Sequence, residues 1–285
     1  MANICIVGLF GVYLVAMIRT FSFDNLRLTY HQWGSGPTVI LCFHGIGQDG
    51  RAFEPFGTAM ISTCTIYSFD LFYHGQSSCL NGAQYQQNES LKPDHWQAIV
   101  AAFLHEKNID RFSVAGFSMG GVFALTTAQL FTTRIDQLWL LAPDGIVTSP
   151  WYAVATGSGL GRGVFRYFLN HLPLLRNLSD SLVRLGWLDR SLVRFAQSTL
   201  ATPDQRERVY RSWIGFRPLR PYIPTLVQTL NEHPIRVRVF LGAFDRVLPQ
   251  KAVQPLLRHL NRYELVMLKV GHNRLVDAVA ARYTG

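Results

Sequence analysis

Ala115-Gly116-Phe117-Ser118-Met119-Gly120-Gly121 is the stretch on which the fold is read. It has the form G-x-S-x-G, ends a short apolar run at residues 112–115, and opens an apolar-rich stretch at residues 122–131. A serine between a strand and a helix sits on a turn so tight that its backbone is strained. Gly116 and Gly120 flank it because a Cβ at either place would clash where strand and helix cross. Gly121 lets the helix press close to the sheet. The hydroxyl then points out at the strand's carboxyl end, where open α/β sheets bind ligands. The competing reading is a glycine-rich turn with an incidental serine, so the rest of the chain has to decide.

Working outward, strand-like and helix-like segments alternate, the pattern of a mostly parallel sheet with helices on both faces. Residues 26–32 alternate and meet the turn Gly34-Ser35-Gly36-Pro37. Residues 38–43 form a β-branched and apolar run, as a central parallel strand requires. Similar runs occupy residues 65–69, 137–142, 236–242 and 263–268. Between them, residues 94–106 carry Trp96, Ile99, Val100, Phe103 and Leu104 at helical spacing behind Pro93. A closing helix is expected near residues 274–282. Residues 145–232 break the rhythm: they hold no convincing strand, several helical stretches and a capping-box start at Thr202-Pro203-Asp204-Gln205. Gly157, Gly159, Gly161 and Gly163 precede those helices and read as a flexible hinge, not a dinucleotide loop, because they miss the G-x-G-x-x-G spacing.

A serine hydroxyl is a weak nucleophile and needs a base, which in turn needs an orienting acid. Downstream of Ser118, Asp245 follows one predicted strand and His272 follows the last, so acid and base fall in the order Ser, Asp, His at strand carboxyl ends. A lone loop Asp is usually a cap and a lone His usually structural; order and context together argue otherwise. Phe43-His44-Gly45-Ile46-Gly47 follows the strand at residues 38–43. There the backbone N–H of Ile46, together with that of Met119 at a helix start, is the expected oxyanion hole. His44 reads as a hydrogen-bonded loop organiser in preference to a second base, and Asp70, His74 and Gly75 as structural loop residues. Candidates for substrate contact are His44, Gly45, Phe117, Trp151 and Trp213.

The set of motifs, H-G-x-G at 44–47, D-x-x-x-H-G-x-S at 70–77 and G-F-S-M-G-G at 116–121, resembles the α/β-hydrolase superfamily over residues ~25–145 and ~233–282. The resemblance implies an α/β fold with a mostly parallel, eight-stranded sheet flanked by helices and an all-helical cap inserted after the sixth strand. It implies Ser118 as nucleophile, His272 as general acid/base and Asp245 as the acid, and a serine there argues against dehalogenases and epoxide hydrolases of the same fold. The chain departs from the family in its short N-terminal sheet, with one clear strand ahead of that leading into the H-G-x-G loop, and in an Arg-rich cap. The expected organisation is an apolar segment at 1–23, a core at 24–144, a cap at 145–232 and the rest of the core at 233–285.

Composition narrows the classes further. Of 285 residues 48% are hydrophobic and 16% charged, ample for a buried core and the opposite of disorder. Cys5, Cys42, Cys64 and Cys79 show no CxxC and no paired histidine spacing, and no metal or cofactor motif is present, so no metal and no cofactor is expected. The net charge is +9, but no basic run of the kind that grips nucleic acid occurs. Residues 145–231 hold eleven Arg, no Lys and four acids, a local +7 expected either to solvate a helix face or to draw anionic substrates or anionic lipid. Residues 4–18 are apolar up to Arg19, short for a membrane anchor and lacking a basic n-region or A-x-A site. They read either as an anchor, giving a membrane-associated protein, or as translated upstream sequence before a start at Met17, giving a cytoplasmic one. Cap aromatics could line an acyl pocket, although most should pack the cap's own small core.

The sequence thus predicts a serine hydrolase of a small-molecule carboxylic ester that works through an acyl-enzyme, with no protein partner implied. The same residues would serve thioester hydrolysis, acyl transfer or C–C bond hydrolysis, and a non-catalytic ligand-binding protein of this fold is the reading from a different class.

Overall fold

The computed structural model describes residues 16–79, 90–172 and 190–284. Eight strands form one sheet in the order β1-β2-β4-β3-β6-β7-β8-β9: β1 (Met17–Phe23), β2 (Leu26–Trp33), β3 (Thr38–Phe43), β4 (Cys64–Phe69), β6 (Phe112–Phe117), β7 (Ile135–Leu141), β8 (Arg236–Gly242) and β9 (Glu264–Leu268). A two-residue β5 (Ser78–Cys79) adds to β2 at the side. From β4 through β9 every neighbouring pair is parallel, whereas β1–β2 and β2–β4 are antiparallel. The central strands are buried at every residue of β4 and β6, which is why they read as continuous apolar runs.

Helices cover both faces: α1 (Glu54–Ala59), α2 (Pro93–Glu106), α3 (Gly120–Leu130), α9 (Gln254–Leu257) and α10 (Leu275–Ala280). Phe103 of α2 fixes that helix to the sheet by edge-on contacts with Phe21, Tyr30, Tyr67 and Phe69, at centroid separations of 4.8–5.4 Å. Trp96 donates from its indole to Thr127 Oγ1 at 2.9 Å and ties α2 to α3.

Between β7 and β8 the described chain is wholly helical: α4 (Pro150–Gly157), α5 (Gly159–His171), α6 (Arg190–Thr199), α7 (Pro203–Gly215) and α8 (Ile223–Glu232). The expected capping box holds, with Thr202 accepting from Gln205 N–H while Gln205 accepts from Thr202 N–H. Ala155, Phe165, Leu169 and Val209 make a small core of their own.

Two expectations need correction. The sheet does not begin near residue 24: Met17–Phe23 is a strand in antiparallel register with β2, which removes the apparent shortness of the N-terminal sheet. Met17 and Ile18 therefore belong to the sheet, Ala16 packs against its core, and residues 1–15 lie outside the described residues. Among the described residues no helix is long and apolar enough to cross a membrane. Finally, the four glycines are not a hinge. Gly157 ends α4, and Gly159, Gly161 and Gly163 lie inside α5, which Ser158 caps by accepting from Gly161 N–H. Gly161 is glycine because a Cβ there would meet the Val154 carbonyl oxygen at 2.0 Å, where α4 and α5 pass closest.

The glycines around Ser118 have the same cause. A Cβ on Gly120 would lie 1.9 Å from the Phe43 carbonyl oxygen, and one on Gly116 would lie 2.4 Å from the Gly120 carbonyl oxygen. Gly120→Ala is therefore expected to cost about 2 kcal/mol or more by overpacking, roughly 4–8 °C in Tm. Gly163→Ala meets nothing within 4 Å and sits inside a helix, so it should leave Tm unchanged or raise it. Paired thermal melts check this; equal Tm values for Gly120→Ala and wild type would contradict it.

Candidate active site

The turn after β6 puts Ser118 at φ +52°, a left-handed conformation that non-glycine residues rarely adopt. Its backbone is held on both sides. Ser118 N–H donates to Leu141 O at 3.0 Å, and Ser118 O accepts from Gly121 N–H and Asp144 N–H, each at 2.8 Å. These three bonds offset strain of about 1–3 kcal/mol and fix the hydroxyl's direction.

The hydroxyl meets an imidazole. His272 opens the 3-10 turn after β9, and its Nε2 lies 3.0 Å from Ser118 Oγ. On the other side its Nδ1 lies 2.6 Å from Asp245 Oδ2. With Nδ1–H donating to the carboxylate, Nε2 keeps a lone pair facing Oγ. Asp245 cannot turn away, because its Oδ1 accepts from Val247 N–H at 2.8 Å and Leu248 N–H at 3.0 Å. The three residues are 6%, 7% and 4% exposed in the order Ser118, His272, Asp245, so water competes little with the relay. Phe117 lies beneath the imidazole with ring centroids 4.9 Å apart and blocks rotation on that side.

The loop after β3 is anchored by two buried histidines. His44 donates from Nδ1 to Gly45 O at 2.7 Å and accepts at Nε2 from Leu71 N–H at 3.0 Å. His74 donates from Nδ1 to Phe72 O at 2.9 Å and accepts at Nε2 from Gly47 N–H at 3.1 Å. Their rings meet edge-on at 5.1 Å. Burial lowers both pKa values, His44 to about 4 and His74 to about 3, the latter helped by the charge of its neighbour His44. Each ring is thus a neutral donor-acceptor clip between loops 44–47 and 70–75. The amides of Ile46 and Met119 have no hydrogen-bond acceptor among the described residues.

Asp70 holds the second loop. Burial pushes its carboxyl up, but the hydrogen bond from His31 and the amides of Gln76 and Gly50 outweigh burial and hold it below the usual carboxylate range. His31, Asp49 and Asp70 bring ligand atoms within 4.8 Å of one another, the geometry a cation needs. Both Asp70 oxygens, however, already accept amides, and both Asp49 oxygens accept from Arg51. That donor set is committed to the loops.

The residues expected to contact substrate sit in different surroundings. His44 is fully enclosed with both nitrogens occupied. Gly45 gives its N–H to Gln48 Oε1 at 2.9 Å. Phe117 supports His272 from below. Trp213 stacks on Phe165 at 4.9 Å and packs against Tyr152 at 5.0 Å, inside the helical insertion. Trp151 is half exposed and touches Phe168 on the outer side. Cap aromatics thus divide between that small core, open surface and the main core, where Phe216 meets Phe123 and Tyr73; Trp187 and the side chain of Phe195 lie outside the described residues. Asp144 is a contributor that residue types do not reveal, since it acts on the turn through its backbone amide.

A family model described as the alpha/beta hydrolase family matches residues 39–282. The chain belongs to the alpha/beta hydrolase family. Among curated relatives, 3-hydroxybutyrate-oligomer hydrolase of Cupriavidus necator is 29% identical over 161 residues, 55% of this chain and 53% of that protein. The match thus spans about half of that relative. Among solved structures, a bacterial membrane phospholipase A aligns with TM-score 0.64 at 24% identity, over 94% of this chain and 84% of its own. The thioesterase domain from the curacin biosynthetic pathway aligns with TM-score 0.63 at 19% identity, over 94% and 98%. At these identities the structures bear on the fold alone, and they place this hydrolase's sheet and helices in the family arrangement.

The two histidine clips make this hydrolase acid-sensitive. Both rings have folded-state pKa values below the ordinary 6.5, so between pH 6.5 and about 4 the unfolded chain binds more protons than the folded one. Stability is complete above pH 6.5 and falls as pH drops, by about 1.4 kcal/mol per pH unit for each histidine. Denaturant midpoints at several pH values should show this slope, and His74→Gln should reduce it by about one proton. A slope unchanged by that substitution would contradict the assignment.

Proposed function

We propose that this α/β hydrolase cleaves a carboxylic ester by nucleophilic catalysis at Ser118. The observation that carries the reading is the continuous hydrogen-bonded line from Ser118 Oγ through His272 to Asp245. Ser118 Oγ attacks the acyl carbonyl while His272 Nε2 takes its proton. Asp245 keeps the imidazole in the tautomer that leaves Nε2 basic, and stabilises the imidazolium that forms. The amides of Ile46 and Met119, lacking acceptors within the described chain, receive the developing oxyanion. Met119 stands at the start of α3, where the helix dipole favours negative charge. Each such donor is worth ~3–4 kcal/mol of barrier. His272 then protonates the leaving alcohol, and a water deprotonated by the same Nε2 releases the acid from Ser118. Every proton in the cycle passes through one imidazole, so the chain's own residues suffice for the chemistry. The curated relative whose name gives hydrolysis as its reaction supports the same class.

The test is a fluorescent fluorophosphonate probe together with an ester and thioester panel of graded chain length. Wild type should label at one residue and turn over esters. Ser118→Ala should lose labelling and at least about 10⁴-fold in kcat, and Asp245→Asn should lose on the order of 10⁴-fold. Folded wild type that resists the probe and turns over nothing in the panel would mark a ligand-binding protein instead.

A further inference from the structure

Among the described residues of the helical insertion, six arginines are engaged. Arg166 and Arg211 share Glu207, Arg220 holds Asp144 at 2.8 Å, and Arg162, Arg206 and Arg217 donate to backbone carbonyls. Arg208 is the exception. It is half-buried, yet among the described residues its guanidinium has no hydrogen bond and no ion pair. A guanidinium stays charged at any working pH, so partial withdrawal from water without a partner is unfavourable until an anion arrives. Arg194, by contrast, is exposed and solvated.

The position of Arg208 is specific. Its neighbour Val209 belongs to the small insertion core against which Ile46 packs. Seven residues on, two helical turns along the same face of α7, Gly215 lies against Tyr73: a Cβ there would be 2.8 Å from the Tyr73 hydroxyl. The face shared by Arg208 and Gly215 therefore lies over loop 70–75, while the adjoining face that carries Val209 belongs to the cluster touched by Ile46. The charge of Arg208 also reaches His74, the ring that clips Gly47, and is one of the influences depressing its pKa. Arg208 thus stands on the helix that covers the loop bearing Ile46, with its charge felt at the ring that clips that loop.

We propose that Arg208 recognises a second, anionic oxygen group on the substrate, so that this hydrolase prefers esters carrying one carboxylate or one phosphodiester to neutral esters of equal size. The proposal rests on the serine-hydrolase reading and narrows it. A carboxylate or phosphodiester oxygen accepts from the guanidinium fork in a short, charge-assisted bond, and the scissile carbonyl is drawn toward Ile46 and Met119. The local +7 of residues 145–231 raises the concentration of such substrates at the entrance, and Arg208 gives the directed contact.

The test compares matched esters: p-nitrophenyl hydrogen succinate against p-nitrophenyl butyrate for the carboxylate, and dibutyrylphosphatidylglycerol against tributyrin for the phosphodiester. Wild type should favour the anionic member of at least one pair by tenfold or more in kcat/KM, and the favoured pair identifies the group. Arg208→Gln should reduce that ratio at least tenfold, chiefly through KM, and Arg208→Lys should fall between. Arg194→Gln removes the same charge from an exposed site and should keep the ratio within twofold. Equal loss in Arg194→Gln and Arg208→Gln would overturn the directed contact in favour of diffuse charge. Wild type that labels with fluorophosphonate but shows no anionic preference overturns the proposal and leaves the hydrolase reading standing. Wild type that neither labels nor turns over any ester overturns both.

Discussion

The left-handed backbone of Ser118 is the constraint on which the rest of the molecule depends. A side chain at φ +52° survives only if its surroundings fix it from several directions. Here the Leu141 carbonyl at the end of β7 takes its N–H, while two amides take its C=O. The neighbouring glycines let α3 pass within contact of the Phe43 carbonyl, at the end of β3. The central strands β3, β6 and β7 therefore all terminate on this turn. The sheet's parallel order then brings β8 and β9 alongside, so that Asp245 and His272 arrive at the same edge from well over a hundred residues downstream.

A second layer of order lies in the loops after β3 and β4. Neutral histidines act there as bifunctional clips, with one nitrogen donating and the other accepting. A protonated ring could not accept at Nε2, so burial that keeps the rings neutral is what makes the clips work. The Asp70 carboxylate complements them by collecting amides from both directions along the chain. The loop carrying Ile46 is thereby fixed to the sheet on one side and touches the insertion core on the other. Arg220 completes the coupling: it binds the carboxylate of Asp144, the residue whose amide holds Ser118, and stacks over Tyr152 at 4.2 Å.

Much of this was legible in the residues. Ser118, Asp245 and His272 meet through side chains whose chemistry their type announces, and strand ends give their place. Gly116, Gly120 and Gly121 were legible because only a missing Cβ satisfies such a crossing. Features carried by the backbone or by pairing were not. Asp144 steadies the turn through an amide that any non-proline residue has. The strand at Met17–Phe23 was legible only in the reading that starts the protein at Met17, because it abuts an apolar run whose reading as an anchor competes with it. The glycines at 157–163 look like a hinge by spacing, yet they lie in α4 and α5, and among them Gly161 marks a close approach of the two helices. Arg208 cannot be told from its neighbours until one sees that Glu207 is already claimed by Arg166 and Arg211.

If the proposed chemistry holds, Ser118 becomes covalently acylated through His272. Mass spectrometry of protein quenched in acid within milliseconds of mixing with a p-nitrophenyl ester, followed by peptide mapping, reads this out. One added acyl group is expected on the peptide containing Ser118, formed at the rate of p-nitrophenol release and absent from His272→Ala. Turnover with no acyl adduct on Ser118, or an adduct on another residue, would contradict it.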